Sequence, residues 1–217
     1  MLINKRGRFT QVDIKKRKSD ALIIGNGRSR LKYDLNVLQE LFTTYGCNAL
    51  YRDFIPDYLI SMDFNMVHEI LESKVHYKTK FYTQYSDKAQ HRASIGEPVY
   101  WAVQDKWIGD SGSGALRLAC SNDHKTVYMI GFDYTDNNNS RDNVYAGTKN
   151  YAPINGPVYN NGDYMRNQFE NRLRHYCRSY PDIKIVRVND NGYKPACKYE
   201  NFSNINSEQF KEIYNEL

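Results

Sequence analysis

The stretch that decides the fold is ALIIGNGRSR, Ala21–Arg30. Its first four residues are apolar and two of them are β-branched, which predicts a short strand buried on both faces. Gly25 and Gly27 follow, and glycine permits positive φ and a close approach of a ligand to the backbone. A helix that opened over residues 26–29 would add free N–H groups, and so an anion site. This pattern is typical of the first phosphate loop of a nucleotide-binding α/β domain. Because Arg30 stands in the third glycine position of G-x-G-x-x-G, a plain strand-to-loop turn remains the alternative.

The composition describes a folded chain with a mild positive charge. Its 217 residues, 41% of them hydrophobic, suffice for one domain with a sizeable core. The net charge of +5 suits a phosphate-bearing ligand or a nucleic acid and does not choose between them. We find neither an apolar signal segment at the N-terminus nor a run long enough to span a membrane, so we expect a cytoplasmic protein without a transmembrane segment. The high asparagine, lysine and tyrosine content is typical of AT-rich genomes, viral ones among them.

The cysteines favour neither a metal site nor a disulfide framework. Cys47, Cys120, Cys177 and Cys197 are widely scattered, without C-x-x-C spacing. We therefore expect reduced thiols.

Basic residues are concentrated at the N-terminus. We expect a basic arm over residues 1–19, followed by one Rossmann-like nucleotide-binding domain over residues 20–217. The arm is either a solvated segment or a contact to nucleic acid or an acidic partner.

The segments after the first loop predict further strands with polar residues at their ends. Leu35 to Phe42 have helical spacing, with Gly46 as a helix stop. Residues 47–51 and 58–63 read as strands, which places Asn48 and Asp63 at strand ends, where ligands bind in an open α/β sheet. Asp63 also suits the N-cap of a helix over residues 65–72. Residues 75–82 suggest a further strand.

A second glycine-rich unit begins at DSGSGALRLA, Asp110–Ala119. Ser111 to Gly114 would place N–H groups and hydroxyls at a helix N-terminus, ready for a phosphate or a ribose. A buried strand over residues 126–133 follows and ends in Asp133. The unit therefore predicts a second nucleotide-contacting half.

The last third of the chain combines a long loop with more α/β elements. Residues 134–164 are polar and rich in tyrosine, which indicates a lid over the ligand or a surface loop with partly buried rings. We expect a helix over residues 164–180, a final strand over residues 183–188 and a terminal helix over residues 207–217. The predicted fold is α/β: a mostly parallel central sheet flanked by helices.

Together, these segments resemble a known superfamily. ALIIGNGRSRL, GCNALY, PDYLISMD and DSGSGALRLACSNDHKTVYMIGFDY are similar to segments of the bacterial lipooligosaccharide sialyltransferases, glycosyltransferase family 42. They also resemble the wider group of motility-associated glycosyltransferase-like and hydroxymethylpterin-pyrophosphokinase-like proteins. The resemblance covers residues 20–64 and 109–134, with weaker similarity through residue 188.

The resemblance implies a CMP-type nucleotide held between the two glycine loops. Gly25, Asn26 and Gly27 would lie by the phosphate and ribose, and Arg28, in place of a family proline, would bind phosphate or point to solvent. The remaining implied contacts are Asn48 to the nucleotide, Ser111 and Gly112 to the cytidine, Asp133 at the site, and Tyr145 as a lid tyrosine that donates to the departing phosphate. Asp63, from its strand-end position, joins this nucleotide-binding set.

The departures from the family concern the general base. Asp110 replaces a threonine before Ser-Gly, and residues 160–164 lack the histidine base that the family places there. Asp163 is our candidate base, with Asp133 as the alternative, because a carboxylate can accept the proton of an acceptor hydroxyl.

Three functions therefore stay open. The leading one is an inverting glycosyltransferase with a CMP-sugar donor, a glycan or other hydroxyl acceptor and no required metal. The second is a magnesium-dependent pyrophosphokinase-like enzyme, in which Asp63, Asp110 and Asp133 would hold Mg²⁺. The third is an inactive nucleotide- or nucleic-acid-binding protein on the same fold. Homo-oligomerisation is left open.

Overall fold

The computed structural model describes residues 18–84, 86–102, 109–134, 143–153 and 162–217. In this part of the chain, eight strands form a single sheet in the order β5-β4-β3-β2-β1-β6-β7-β8. The strands are β1 (Ala21–Ile24), β2 (Thr43–Cys47), β3 (Tyr58–Ser61), β4 (Lys80–Thr83), β5 (Val99–Trp101), β6 (Thr126–Ile130), β7 (Lys184–Val188) and β8 (Phe202–Ile205). Every neighbouring pair is parallel. The prediction of an α/β fold with a mostly parallel sheet is confirmed.

The helices cover both faces of the sheet. They are α1 (Leu35–Leu41), α2 (Phe64–Glu72), α3 (Asp87–Ser94), α4 (Ser111–Cys120), α5 (Gly162–Ser179) and α6 (Ser207–Asn215). Short 3-10 helices span Arg28–Lys32, Asn48–Arg52 and Val75–Tyr77. Within the described residues, no helix is both long and apolar enough to cross a membrane.

Strand β1 lies in the middle of the sheet and is fully buried. Ala21 and Ile23 pack with α4 and α5 on one face, whereas Leu22 and Ile24 pack with α1 and α6 on the other. The chain runs outward from β1 to β5 on one side and then returns to place β6 on the other. This reversal of strand order leaves a crevice at the carboxyl end of β1, where open α/β sheets bind ligands.

Several predicted element bounds are wrong around β2. The expected strand over residues 47–51 is a 3-10 helix, and β2 occupies Thr43–Cys47 instead. Gly46 does not stop a helix. It lies inside β2, where a Cβ atom would come within 2.8 Å of the Pro56 Cγ atom. The glycine therefore serves packing, which helical spacing could not indicate.

Two further differences concern the sheet's outer strands. The predicted strand over residues 75–82 is confined to Lys80–Thr83. Strand β7 is not the last strand, because β8 adds to its free edge. β8 is only half-buried, as is usual for an edge strand, and its sequence FSNI lacks a continuous apolar run. Most of the predicted basic arm and about half of the predicted lid lie outside the described residues, which include residues 143–153 of the lid.

Candidate functional site

The first glycine loop is bound to the end of β6. The N–H of Gly25 donates to the Ile130 carbonyl at 2.8 Å and the N–H of Gly27 donates to the Gly131 carbonyl at 3.0 Å. A Cβ atom at Gly25 would lie 2.9 Å from the carbonyl carbon of Gly131, and closer still to its oxygen. Gly131, not Gly25 or Gly27, has positive φ. The two loop glycines thus allow two backbones to meet, and neither of them uses the positive φ that glycine permits.

The expected anion site at residues 26–29 is occupied by the protein's own carboxylate. The loop continues into the 3-10 helix, and α1 begins only at Leu35 with Asp34 as its N-cap. Asp133 accepts a hydrogen bond from the Ser29 N–H at 2.8 Å and another from the Ser29 hydroxyl. A carboxylate that accepts from the N–H and the hydroxyl of Ser29 stabilises the turn as a bound anion would.

A buried arginine fixes the segment that carries Asp133. Arg187 on β7 has no solvent exposure, and burial lowers its pKa to about 10. Its guanidinium donates to the carbonyls of Phe132 and Tyr134, on either side of Asp133, at 2.8 and 3.1 Å. It also donates to the Tyr193 carbonyl at 2.8 Å and to Asn204 Oδ1 at 3.0 Å.

A cavity of about 650 Å³ lies beyond the carboxyl ends of β1, β2, β3 and β6. Its volume is within the range of small-molecule sites. The structure brings eight of the nine predicted nucleotide-binding residues to this cavity: Gly25, Asn26, Gly27, Asn48, Asp63, Ser111, Gly112 and Asp133. The ninth, Arg28, is exposed and does not line it.

Asn48 is the centre of the polar wall of the cavity. Its φ of 52° is in the left-handed region, which non-glycine residues seldom adopt. Its Oδ1 atom accepts hydrogen bonds from the hydroxyls of Ser61 and Ser111 at 2.9 and 2.7 Å, and its Nδ2 atom donates to Asp63 at 2.8 Å. Asp63 stands at the N-cap position of α2 without capping it by its side chain. The network thus joins the ends of β2 and β3 to α4.

The second glycine loop opens onto the cavity through the N-terminus of α4. Asp110 caps this helix through the Ser113 N–H at 2.8 Å and pairs with Arg172 of α5. Among the described residues, neither the N–H of Ser111 nor that of Gly112 has an acceptor. The first N–H groups of a helix often lack an acceptor within the protein, and such groups can bind an anion.

Of Tyr145 and Tyr151, the two tyrosines within residues 143–153 of the lid, only Tyr151 lines the cavity. The Tyr145 hydroxyl is engaged elsewhere: it donates to Asp53 and accepts from Arg30 Nη2 at 2.7 Å. Burial, and then the bond to Asp53, raise the pKa of Tyr145 far above its ordinary value. The structure thus does not bring Tyr145, the predicted donor to the leaving phosphate, to the cavity wall.

Tyr151 is the tyrosine of residues 143–153 that reaches the cavity. Its hydroxyl oxygen accepts from Asn26 Nδ2 at 3.2 Å and from the Ala49 N–H at 3.4 Å. Its own proton has no acceptor among the described residues. Burial raises the pKa of Tyr151 well above its ordinary value, so the phenol keeps that proton. Only the spacing of tyrosines in the loop indicated this residue in the sequence.

The candidate base Asp163 is described by its backbone alone. The backbone of Asp163 lies in the first turn of α5, but its side chain is outside the described set, so its role stays a prediction.

Asp63 is exposed at the cavity rim, next to the Phe64 ring, which is 59% exposed. No sequence signal indicated Phe64. Within the described residues, no group of three histidine, cysteine, aspartate or glutamate side chains is arranged to hold a metal ion.

Comparisons with known proteins agree with the fold. No family model and no curated protein matches the sequence. The solved structure of the monofunctional alpha-2,3-sialyltransferase Cst-I from Campylobacter jejuni matches with a TM-score of 0.54 at 12% identity, over 82% of this chain and 78% of that one. The sialyltransferase CstII from the same organism, in complex with a substrate analogue, cytidine-5'-monophosphate, matches with a TM-score of 0.50 at 16% identity, over 80% and 81%. The chain thus has a sialyltransferase-like α/β fold, which confirms the predicted structural resemblance.

Proposed function

We propose that this protein is a glycosyltransferase that binds a CMP-type sugar donor in the cavity and transfers the sugar to a hydroxyl acceptor with inversion. The observation that carries the proposal is a set of hydrogen-bond donors that line the cavity and have no acceptor among the described residues. These donors are the N–H groups of Ser111 and Gly112 at the N-terminus of α4 and the hydroxyl of Tyr151. Donors fixed before a ligand arrives can stabilise a departing phosphate without reorganisation.

The charges around the cavity favour a donor with one phosphate. Asp63, Asp110 and Asp133 all line it, and Arg172 pairs with Asp110 alone among them. Because the energy of an anion near carboxylates rises with each added charge, a nucleoside diphosphate would bind at a higher cost than a CMP-type phosphodiester. This argument supports a CMP-sugar over a nucleoside-diphosphate sugar.

The acceptor would enter at the rim formed by Asp63 and Phe64. An aromatic ring that is 59% exposed beside a cavity can bury the apolar face of a sugar ring. Asp163 remains our candidate for the general base. Asp133 suits that role less well, because both of its carboxylate oxygens already accept hydrogen bonds from Ser29.

Isothermal titration with CMP tests the donor site, with UDP, GDP and magnesium–ATP as competitors. We expect CMP to bind without added metal and more tightly than the diphosphates. Tyr151→Phe removes only the hydroxyl, and the lost hydrogen bond should weaken CMP binding about tenfold. Tyr145→Phe is the matched comparison: its hydroxyl contacts Asp53 and Arg30, so we expect lower stability and unchanged CMP affinity.

Turnover is tested separately, by the release of CMP from a CMP-sugar with a panel of glycan acceptors. Asp163→Asn should abolish release and retain CMP binding, if Asp163 is the base. Binding of magnesium–ATP alone would instead support the pyrophosphokinase-like alternative. No binding of any nucleotide would overturn the transferase proposal and favour a non-catalytic protein.

A further inference from the structure

Two thiols lie in contact on the side of the sheet that α5 covers. Cys177 is in the last turns of α5, and Cys197 is in the connection between β7 and β8. Their sulfur atoms are 3.7 Å apart, and both cysteines are free. Neither residue lines the cavity, so the pair is separate from the proposed donor site.

The two thiols differ in their access to solvent. Cys177 is 1% exposed within the core, whereas Cys197 is half-buried and reaches the surface. The hydrogen bond with Cys177 lowers the pKa of Cys197 against the effect of burial, and the Tyr199 N–H and Arg174 act in the same direction. The hydrogen bond with Cys197, together with burial, raises the pKa of Cys177. The accessible sulfur is therefore the better nucleophile, since the thiolate is the reactive form.

We infer that Cys197 and Cys177 form a site of reversible thiol–disulfide exchange, in which Cys197 reacts first with a low-molecular-weight disulfide and Cys177 then closes an intramolecular bond. In the first step the Cys197 thiolate attacks one sulfur of the oxidant, a mixed disulfide forms and one thiolate leaves. In the second step Cys177 gives its proton to solvent and attacks the Cys197 sulfur, and the second thiolate leaves. The oxidant is thereby reduced to two thiols and the pair is oxidised to one disulfide.

The geometry requires only a small movement. A disulfide bond is about 2.05 Å long, so the two sulfur atoms must approach by less than the diameter of one atom. The connection that carries Cys197 has neither helix nor strand between β7 and β8, and Gly192 in it has positive φ. Such a connection can adjust more readily than a helix packed in the core.

The bond would tie this connection to α5. The same connection contains Tyr193, whose hydroxyl donates to Glu170 of α5 and whose carbonyl accepts from Arg187. The cross-link would therefore reinforce contacts that lead through Arg187 to the segment carrying Asp133.

The experiment is mass spectrometry of the intact protein after incubation with oxidised glutathione and removal of the excess oxidant. We expect the mass of the unsubstituted protein to fall by that of two hydrogen atoms. Peptide mapping should then identify a disulfide between Cys177 and Cys197. Cys177→Ser should instead stop at a stable glutathione adduct on Cys197. Cys197→Ser should remain unmodified, because its partner is buried. Dithiothreitol should reverse both products.

Cys120→Ala is the control, because Cys120 belongs to the same core cluster and is the other thiol near Cys177. It should behave as the unmodified sequence does. Disulfide formation is measured first in the unsubstituted protein, so poor folding of a variant cannot obscure that result. An unchanged mass, an adduct without ring closure, or a bond to Cys120 would each overturn the inference.

Discussion

The first glycine loop, residues 25–29, and the second, residues 109–114, lie at the same end of the sheet and face the same cavity. The first is closed by the protein itself, since Gly25, Gly27 and Ser29 donate their N–H groups to the β6 end and to Asp133. The second is capped by Asp110, and within the described residues the N–H groups of Ser111 and Gly112 have no acceptor.

The two loops show that glycine can serve either of two purposes in such a loop. The loop sequence alone does not tell which purpose applies. In the first loop, glycine is needed because another backbone lies against it. In the second loop, glycine has no side chain that would cover the first N–H groups of α4. A short glycine motif therefore locates the end of a strand more reliably than it locates a phosphate.

The largest expected effect is the loss of the arginine that fixes the closed loop. Arg187→Met would leave the carbonyls of Phe132 and Tyr193 without their buried donor, whereas the Tyr134 carbonyl would keep its hydrogen bond from Asn191. Each unsatisfied buried acceptor is costly, so we expect the free energy of unfolding to fall by about 4 kcal/mol, measured by urea denaturation.

Lys184→Met is the matched control for this change, because Lys184 lies on the same strand and is exposed. We expect it to change stability little. Equal stability of Arg187→Met and Lys184→Met would contradict the role we give to the buried guanidinium.

Exchanging one glycine in each loop tests the comparison directly. Gly25→Ala would place a Cβ atom against the Gly131 carbonyl, and such overpacking should cost about 3 kcal/mol of stability. Gly112→Ala places its Cβ atom 3.2 Å from a ring carbon of Phe132, within a helix that alanine favours, so we expect stability to change by less than about 1 kcal/mol.

The second readout of this pair is CMP affinity. Gly112→Ala should lower it severalfold, because a ligand must approach that backbone closely. If Gly25→Ala kept full stability, or if Gly112→Ala lost as much stability as Gly25→Ala should, the assigned purposes of the two loops would be wrong.

The smallest expected effect concerns the segment that carries Tyr151. Glu69 on α2 accepts from Tyr51 at 2.6 Å, from Arg52 Nε at 2.8 Å and from Asn150 at 2.7 Å. Although burial by itself raises the pKa of Glu69, the bonds from Tyr51 and Arg52 outweigh it and hold that pKa below its usual value.

Since its folded-state pKa is lowered, Glu69 contributes stability above the unfolded pKa of about 4.3, and this contribution is lost as the pH falls through the lower folded pKa. Glu69→Gln should therefore cost about 1 kcal/mol near neutral pH and nothing in strong acid, measured by denaturation as a function of pH. Glu72→Gln, an exposed site on the same helix, should show little of this dependence. A loss that persists unchanged in acid would exclude a charge-dependent role.

The sequence predicted the centre of the molecule better than its edges. Strand β1 has the predicted bounds, because four consecutive apolar residues are typical of a buried strand. β8 was missed, because an edge strand needs apolar residues on one face only. β2 was shifted because its residues TTYGC are buried without being strongly apolar.

The candidate site was predicted in position but not in detail. Strand ends located Asn48, Asp63 and Asp133, since the carboxyl ends of parallel strands meet. Nothing local could show that Asp133 would occupy the first loop, or that Tyr151 rather than Tyr145 would reach the cavity. Both depend on contacts between residues about a hundred positions apart.

The all-parallel sheet also has a consequence for how the chain folds during its synthesis. Parallel neighbours cannot be joined by a tight hairpin, so every strand pairing must close a long stretch of chain. Ala21 of β1 faces Thr43 on one side and Val127 on the other. As the chain leaves the ribosome, β1 to β5 can associate first, with one edge of β1 open until β6 emerges. Such an edge can pair with another chain, so a pause in translation between these strands should favour aggregation.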